Sequence, residues 1–238
     1  MRLIADCGNS TVKLAIAHDG GIWLHERLPA SIKELDGFLA AHVSTLDEIV
    51  ILPAGRTADL VREWWSKTGG GRPCRVVGVD IALPAVNQYP GFGLDRLVAG
   101  VAACAQEKAD VIVVDCGTAT TLTAWRVAGI QLIGGLILPG ARACIAGLVA
   151  QAPALPAIEP WASEASALQR ETPGAIGVAL GIGYPAMVRE CLERVQRESG
   201  CKALVVTGGN AAPLLGGVLL RRAYRPSLVA EGVELLAR

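Results

Sequence analysis

The stretch ADCGNSTVKLAI at residues 5–16 is nearly repeated as VDCGTATTLTAW at 114–125. Placing Asp6 on Asp115 brings Cys7 onto Cys116, Gly8 onto Gly117 and Thr11 onto Thr120, at a constant offset of 109 residues. Each copy reads as an apolar strand ending in Asp, a tight turn of small residues, and a second strand that opens on Thr. A chain that makes this strand–turn–strand twice is built from two similar halves, expected at 1–108 and 109–238. Its 238 residues are enough for each half to bury its own core.

The flanking patterns support the duplication. RLIADC and TVKLAIAH are strand-like runs, and DGG at 19–21 turns the chain into a third, IWLHERL. Ser31 with Glu34 makes a capping box ahead of apolar positions 32, 35, 38 and 39, so a helix follows. EIVILPA, TADLVREWWSK, CRVVGVD and LDRLVAGVAACAQE then predict strand, helix, strand and helix. From Ala109 the order restarts with DVIVVDC, TLTAWRV and IQLIGGLIL, followed by a helix at VRECLERVQRE, a strand at KALVVT, a GGN turn, and helical segments at AAPLL and SLVAEGVELLA. The intervening APALPAIEPWASEA lacks periodicity and reads as a surface excursion. The pattern predicts an α/β chain of mixed sheets flanked by helices.

Charge is balanced, 22 basic against 22 acidic residues, which gives no electrostatic footprint for nucleic acid or an anionic membrane. The seven cysteines show no CxxC pair and no zinc spacing, and an odd number argues against a complete disulfide framework. They suit a reducing, cytoplasmic compartment. The first residues, MRLIADCGN, lack the apolar core of a secretory signal. LIGGLILPGARACIAGLVA at 132–150 contains Arg142, Pro139 and four glycines, and reads as a buried strand, turn and helix rather than a membrane span. A small, soluble partner is the expectation.

The repeated turn is suited to anions, because backbone N–H groups and hydroxyls of small residues can surround a phosphate oxygen. Two such turns facing one another would hold a polyphosphate, with the aspartates near a hard cation. At constant offset Lys13 falls on Leu122, so only the first turn brings a fixed cation to a transferring phosphoryl group. A hairpin turn alone would explain one copy; two copies, with TGGN at 207–210 after another strand, point to phosphate. GxxxxGK[ST] is absent, and GIGYPA at 181–186 lacks the context of a dinucleotide site. All three histidines lie within the first 42 residues, away from these motifs, so a general base is expected to be a carboxylate.

YPGFGLDRLVAG (89–100) places Asp95 and Arg96 where a Gly-rich loop enters a helix. A carboxylate there can accept a hydroxyl proton while the guanidinium and helix N-terminal amides take an anionic end of the same substrate. An acidic residue stabilising a helix dipole beside a solvated arginine would produce the same letters.

Taken together, DCGNSTVK (6–13), GLDR (93–96), DCGTATT (115–121) with GGLILPG (134–140), and TGGN (207–210) resemble the type III pantothenate kinases. These belong to the acetate and sugar kinase, heat-shock chaperone and actin superfamily. The resemblance implies duplicated ribonuclease H-like, actin-like ATPase halves and a homodimer that phosphorylates pantothenate with ATP, the first step of coenzyme A synthesis. It implies that Asp6, Gly8, Asn9, Ser10, Thr11 and Lys13 bind the ATP phosphates, with Asp6 beside Mg²⁺ through water. Thr118, Gly208 and Gly209 would touch ATP. Gly93, Leu94, Asp95 and Arg96 would bind pantothenate, with Asp95 as catalytic base and with Tyr89 and Thr172 as further contacts. Asp115 matches a position that binds a monovalent cation, K⁺ or NH₄⁺, and Thr123 stands where many members carry an acidic residue. The rival readings are another small-molecule kinase of the superfamily and an ATP-binding regulatory protein that transfers nothing.

Overall fold

β-branched and aliphatic residues dominate the strands, and both sheets are built from the repeated motif outward. The computed structural model describes residues 1–9, 11–42, 45–159, 166–211 and 224–238. Strands β1 (Arg2–Cys7), β2 (Thr11–His18) and β3 (Gly21–Pro29) form an antiparallel meander. Helix α1 (Ile32–His42) returns the chain to β4 (Glu48–Leu52), parallel to β1. The Glu34 amide donates to Ser31 Oγ at 3.4 Å, one arm of the expected capping box. Helix α2 (Ala58–Thr68), β5 (Cys74–Val76) and α3 (Leu94–Glu107) follow. The strand order of this sheet is β3-β2-β1-β4-β5.

The second copy gives β6 (Val111–Cys116), β7 (Ala119–Arg126) and β8 (Gln131–Pro139), then α4 (Ala141–Gln151), α5 (Thr172–Ser199), β9 (Ala203–Thr207) and α6 (Leu228–Ala237). Its sheet has the order β8-β7-β6-β9, with β6 antiparallel to β7 and parallel to β9. Strands β6–β9 thus repeat the pairing of β1–β4. Each sheet carries its own core: Leu3, Leu14, Leu35, Ile51, Trp64 and Trp65 in the first, Ile112, Val114, Leu122, Tyr184, Val188 and Val206 in the second.

The chain divides into two compact units that do not follow a single cut at residue 108. Unit one holds Met1–Lys108, Gly129–Gln131 and Ser227–Arg238; unit two holds Ala109–Ala128 and Leu132–Pro226. The last helix groups with the first unit because α6 packs on α3, and Arg2 ties Glu234 of α6 to Glu48 of β4 at 2.5 and 2.7 Å.

Two local expectations change. Helix α5 begins sixteen residues before the apolar period starts at Val188, running through Pro185 and GIGYPA. Its buried residues Ile176, Tyr184, Val188 and Leu192 fall at multiples of four, so one packed stripe overrides an internal proline. By length and composition α5 could also cross a bilayer. Strand β8 is mostly exposed rather than buried, an edge strand with Ile137 62% accessible. Most of AAPLL lies outside the described residues.

Candidate active site

The first turn is closed by its own backbone: the Gly8 amide donates to Thr11 O at 3.0 Å, so this amide faces the hairpin rather than outward. The Gly8 carbonyl is held from the far side by Thr57, whose backbone N–H and Oγ1 both donate to it, at 3.2 and 3.0 Å. Gly55 presses on the same spot; a Cβ there would lie 2.3 Å from Gly8 C and 2.5 Å from Gly8 O. Loop 53–57, which follows β4, therefore braces the turn. Asn9 is exposed and Thr11 half-buried, its Oγ1 accepting from Arg27 Nε at 3.2 Å. Ser10 lies outside the described residues.

Asp6, next to last in β1, sits directly opposite Lys13 in the antiparallel register, and Lys13 Nζ lies 2.8 Å from Asp6 Oδ2. Asp6 is 5% exposed. A buried carboxylate of this kind requires a nearby cation, and the register supplies one.

The third member of the cluster is Asp95, in the first turn of α3. Its Oδ1 accepts from the Arg96 backbone N–H at 2.8 Å. A side chain at Gly93 would fall 2.5 Å from Asp95 Oδ1, which explains a glycine two residues before the acid. Burial pushes the Asp95 carboxyl above its ordinary value and Asp6 pushes the same way, while the Arg96 amide, Lys13 and the Arg96 guanidinium oppose them. Asp95 is therefore in electrostatic reach of both Asp6 and Lys13. Arg96 is buried, and its Nη1 donates to Tyr89 Oη at 2.9 Å. Leu94 is half-buried at the start of α3. Unit one thus gathers two carboxylates, an ammonium and a guanidinium, the groups that phosphoryl transfer to a hydroxyl needs.

In unit two, Asp115, next to last in β6, sits opposite Thr121, not opposite Leu122 as the constant offset predicts. The second turn is one residue shorter: Cys116 pairs with Thr120, whereas Cys7 pairs with Val12. Lys13 is therefore matched in space by a threonine. The Gly117 amide closes this turn on Ala119 O at 3.0 Å, and Thr118 is exposed, its carbonyl accepting from the Gly140 amide at 3.0 Å. Gly208, at φ +92°, touches the turn; a Cβ there would lie 2.5 Å from Asp115 Oδ1 and 2.6 Å from Cys116 N. Gly209 follows it, and Asn210 Nδ2 donates to Gly117 O at 2.8 Å. Thr123 and Thr120 are buried, Thr120 hydrogen-bonded to Tyr184 of α5. Thr172 is exposed at the start of α5, beside a groove of about 720 Å³ lined by Leu148, Leu155, Ile176 and Leu180.

Sequence reasoning missed Gly55 and Thr57, and gave Asn210 only as the end of TGGN, without its bond to Gly117 O. The repeat held the signal, since the loop after β4 occupies the place of TGGN after β9. The buried thiols of Cys7 and Cys116 are pushed up to about 12 by burial, which removes them as nucleophiles near neutral pH.

Among the described residues no three His, Cys, Asp or Glu side chains cluster as a metal cage. A single carboxylate such as Asp6 instead suits Mg²⁺ carried mainly by phosphate oxygens and water.

Comparison with known proteins bears on the fold and on the family. A Baf-family protein from Campylobacter jejuni superposes with a TM-score of 0.59 at 20% identity, covering 98% of this chain and 96% of its own. Component A of (R)-2-hydroxyglutaryl-CoA dehydratase from Acidaminococcus fermentans gives 0.51 at 12% identity, with 99% and 95% covered. These likenesses bear on the fold, that of duplicated actin-like halves. In sequence, a type III pantothenate kinase of Gluconobacter oxydans is 30% identical over 256 aligned positions, spanning 100% of this chain and 93% of that protein. The family model for type III pantothenate kinase matches residues 2–194, a span containing both DxG turns and the Asp95 helix. With the motifs, the fold and the family match in agreement, the chain belongs to the type III pantothenate kinase family.

Proposed function

We propose that this chain transfers the γ-phosphoryl group of ATP to the primary hydroxyl of pantothenate, giving 4'-phosphopantothenate, the first step of coenzyme A biosynthesis. The observation that carries the reading is the gathering of Asp6, Lys13, Asp95 and Arg96 in one unit. Mg²⁺, when bound with ATP, neutralises phosphate charge and orients the γ-phosphoryl group.

Asp95 accepts a hydrogen bond from the acceptor hydroxyl and orients it for in-line attack. A carboxylate of modest basicity suffices, because a loose transition state releases the hydroxyl proton late. Its upward-shifted proton affinity, caused first by burial, brings it closer to a working base. Lys13, carried opposite Asp6, supplies positive charge to the transferring group. Arg96 takes the pantothenate carboxylate. We assign the phosphate contacts to Asn9, Ser10 and Thr11, with Gly8 shaping the turn rather than donating its amide, further nucleotide contacts to Thr118, Gly208 and Gly209, and acceptor contacts to Tyr89, Gly93, Leu94 and Thr172.

Asp115, with Thr121 and Thr207 as its register neighbours, offers oxygen donors suited to a monovalent cation, K⁺ or NH₄⁺. We further infer a homodimer. The reading rests on membership of the family, and a dimer would give the exposed side chains of Leu168, Ile182 and Ile137 a surface to pack against. A cytoplasmic location accords with seven free cysteines.

The acceptor is tested by ADP release from Mg·ATP with pantothenate, glucose, N-acetylglucosamine or acetate, at low and high K⁺. Release driven by pantothenate alone is expected, and K⁺ stimulation would support Asp115 as a cation ligand. Equal release with a sugar, or slow hydrolysis blind to every acceptor, would overturn the reading.

A further inference from the structure

Residues 89–92, Tyr-Pro-Gly-Phe, carry the pattern of a type II turn. Pro90 and Gly91 are the central pair, Gly91 has φ +81°, and the Phe92 amide donates to Tyr89 O at 3.1 Å. The turn brings the two flanking rings together edge to face, centroids 5.3 Å apart and planes at 84°. Four residues on, the Arg96 guanidinium lies over the Phe92 ring with Cζ 4.5 Å from the centroid, and its Nη1 donates to Tyr89 Oη at 2.9 Å. Arg96 is thus held on one face by a π-system and at one edge by a phenol, within a buried setting. A long side chain with many rotamers is reduced to a planar fork of fixed direction. Such a fork matches a carboxylate geometrically where a point charge would not.

We propose that Phe92, together with Tyr89, is a positioning residue that fixes the Arg96 guanidinium plane and so sets the preference of this enzyme for an acceptor bearing a carboxylate. The inference rests on the reading that Arg96 receives that carboxylate. It gives the PG turn a purpose: Pro90 and Gly91 preorganise both rings before any acceptor binds. It also recasts Tyr89 as a partner of Arg96 first and a substrate contact second.

The test is steady-state kinetics of the full chain with pantothenate and with pantothenol, in which a neutral hydroxymethyl group replaces the carboxylate. In Phe92→Leu, the KM for pantothenate should rise about tenfold, with kcat within about twofold and the KM for ATP unchanged. The preference for pantothenate over pantothenol should fall by the same factor. Phe92→Tyr, which keeps a ring under the guanidinium, should restore most of it. Tyr89→Phe, which removes only the hydroxyl, should lower the preference about threefold. An unchanged preference in Phe92→Leu, or equal losses on both acceptors, would overturn the inference. Should Phe92→Leu fail to fold, an unchanged preference in Tyr89→Phe overturns it instead. A wild type inert toward pantothenate would take the functional reading down with it, whereas a discriminating wild type with a discriminating Phe92→Leu overturns the positioning role alone.

Discussion

The two DxG turns are near copies in letters and unlike in electrostatics. In the first, Asp6 stands opposite Lys13 at 2.8 Å; in the second, Asp115 stands opposite Thr121. The cause is a turn shortened by one residue, which moves every later side chain of β7 by one position relative to β2. Both turns are braced from the following parallel strand, by Gly55 and Thr57 in one case and by Gly208 and Asn210 in the other. The brace is therefore common, and the charge is not. A duplicated scaffold can keep its backbone cradle twice while concentrating cationic chemistry in one copy.

The largest effect that sharpens this comparison comes from converting one turn into the other. Lys13→Thr gives the first turn the second turn's polar partner, and kcat should fall about a hundredfold, measured as pantothenate-dependent ADP release. A kcat within threefold of wild type would break the proposed asymmetry. Next in size is a pair of brace mutations. Gly208→Ala forces a Cβ onto Asp115 and Cys116 at φ +92° and should cost about 1–3 kcal/mol in urea unfolding. Gly55→Ala has no positive φ but meets three backbone atoms at 2.3, 2.5 and 2.7 Å, so its cost should be at least as large. A cost well below that of Gly208→Ala would show that the first turn is the more loosely supported.

The smallest effect concerns pH. Burial and then Asp6 raise the Asp95 carboxyl, so the acid limb of kcat/KM for pantothenate should lie above the ordinary aspartate value of about 3.9. Asp6→Asn removes a negative charge that favours the protonated form, and leaves Lys13 to oppose it. The limb should therefore move to lower pH. A limb that stays or moves upward would contradict the coupling between β1 and α3.

Much of this arrangement was legible in residue order. The meander, the parallel return of β4 and β9, and the placement of Asp95 at a helix start follow from alternation, caps and turns. What escaped depended on register and packing. A constant offset of 109 could not reveal that the second turn is shorter, because Thr11 and Thr120 align in letters although Thr120 takes the register place of Val12. The reach of α5 was hidden because Gly and Pro in GIGYPA argue for a break, whereas buried Tyr184 and Val188 hold that turn in the helix. Thr57 was hidden because a helix-start threonine ordinarily serves its own helix, and this one donates to Gly8 O instead.

The most direct test of the central claim is ADP release by Asp95→Asn beside wild type, with Mg·ATP and saturating pantothenate, and with ATP affinity measured on the same preparations. The account predicts a fall of about 10²–10⁴ in kcat with ATP binding within about twofold of wild type. Near-normal turnover by Asp95→Asn, or wild-type ADP release that ignores pantothenate, would contradict it.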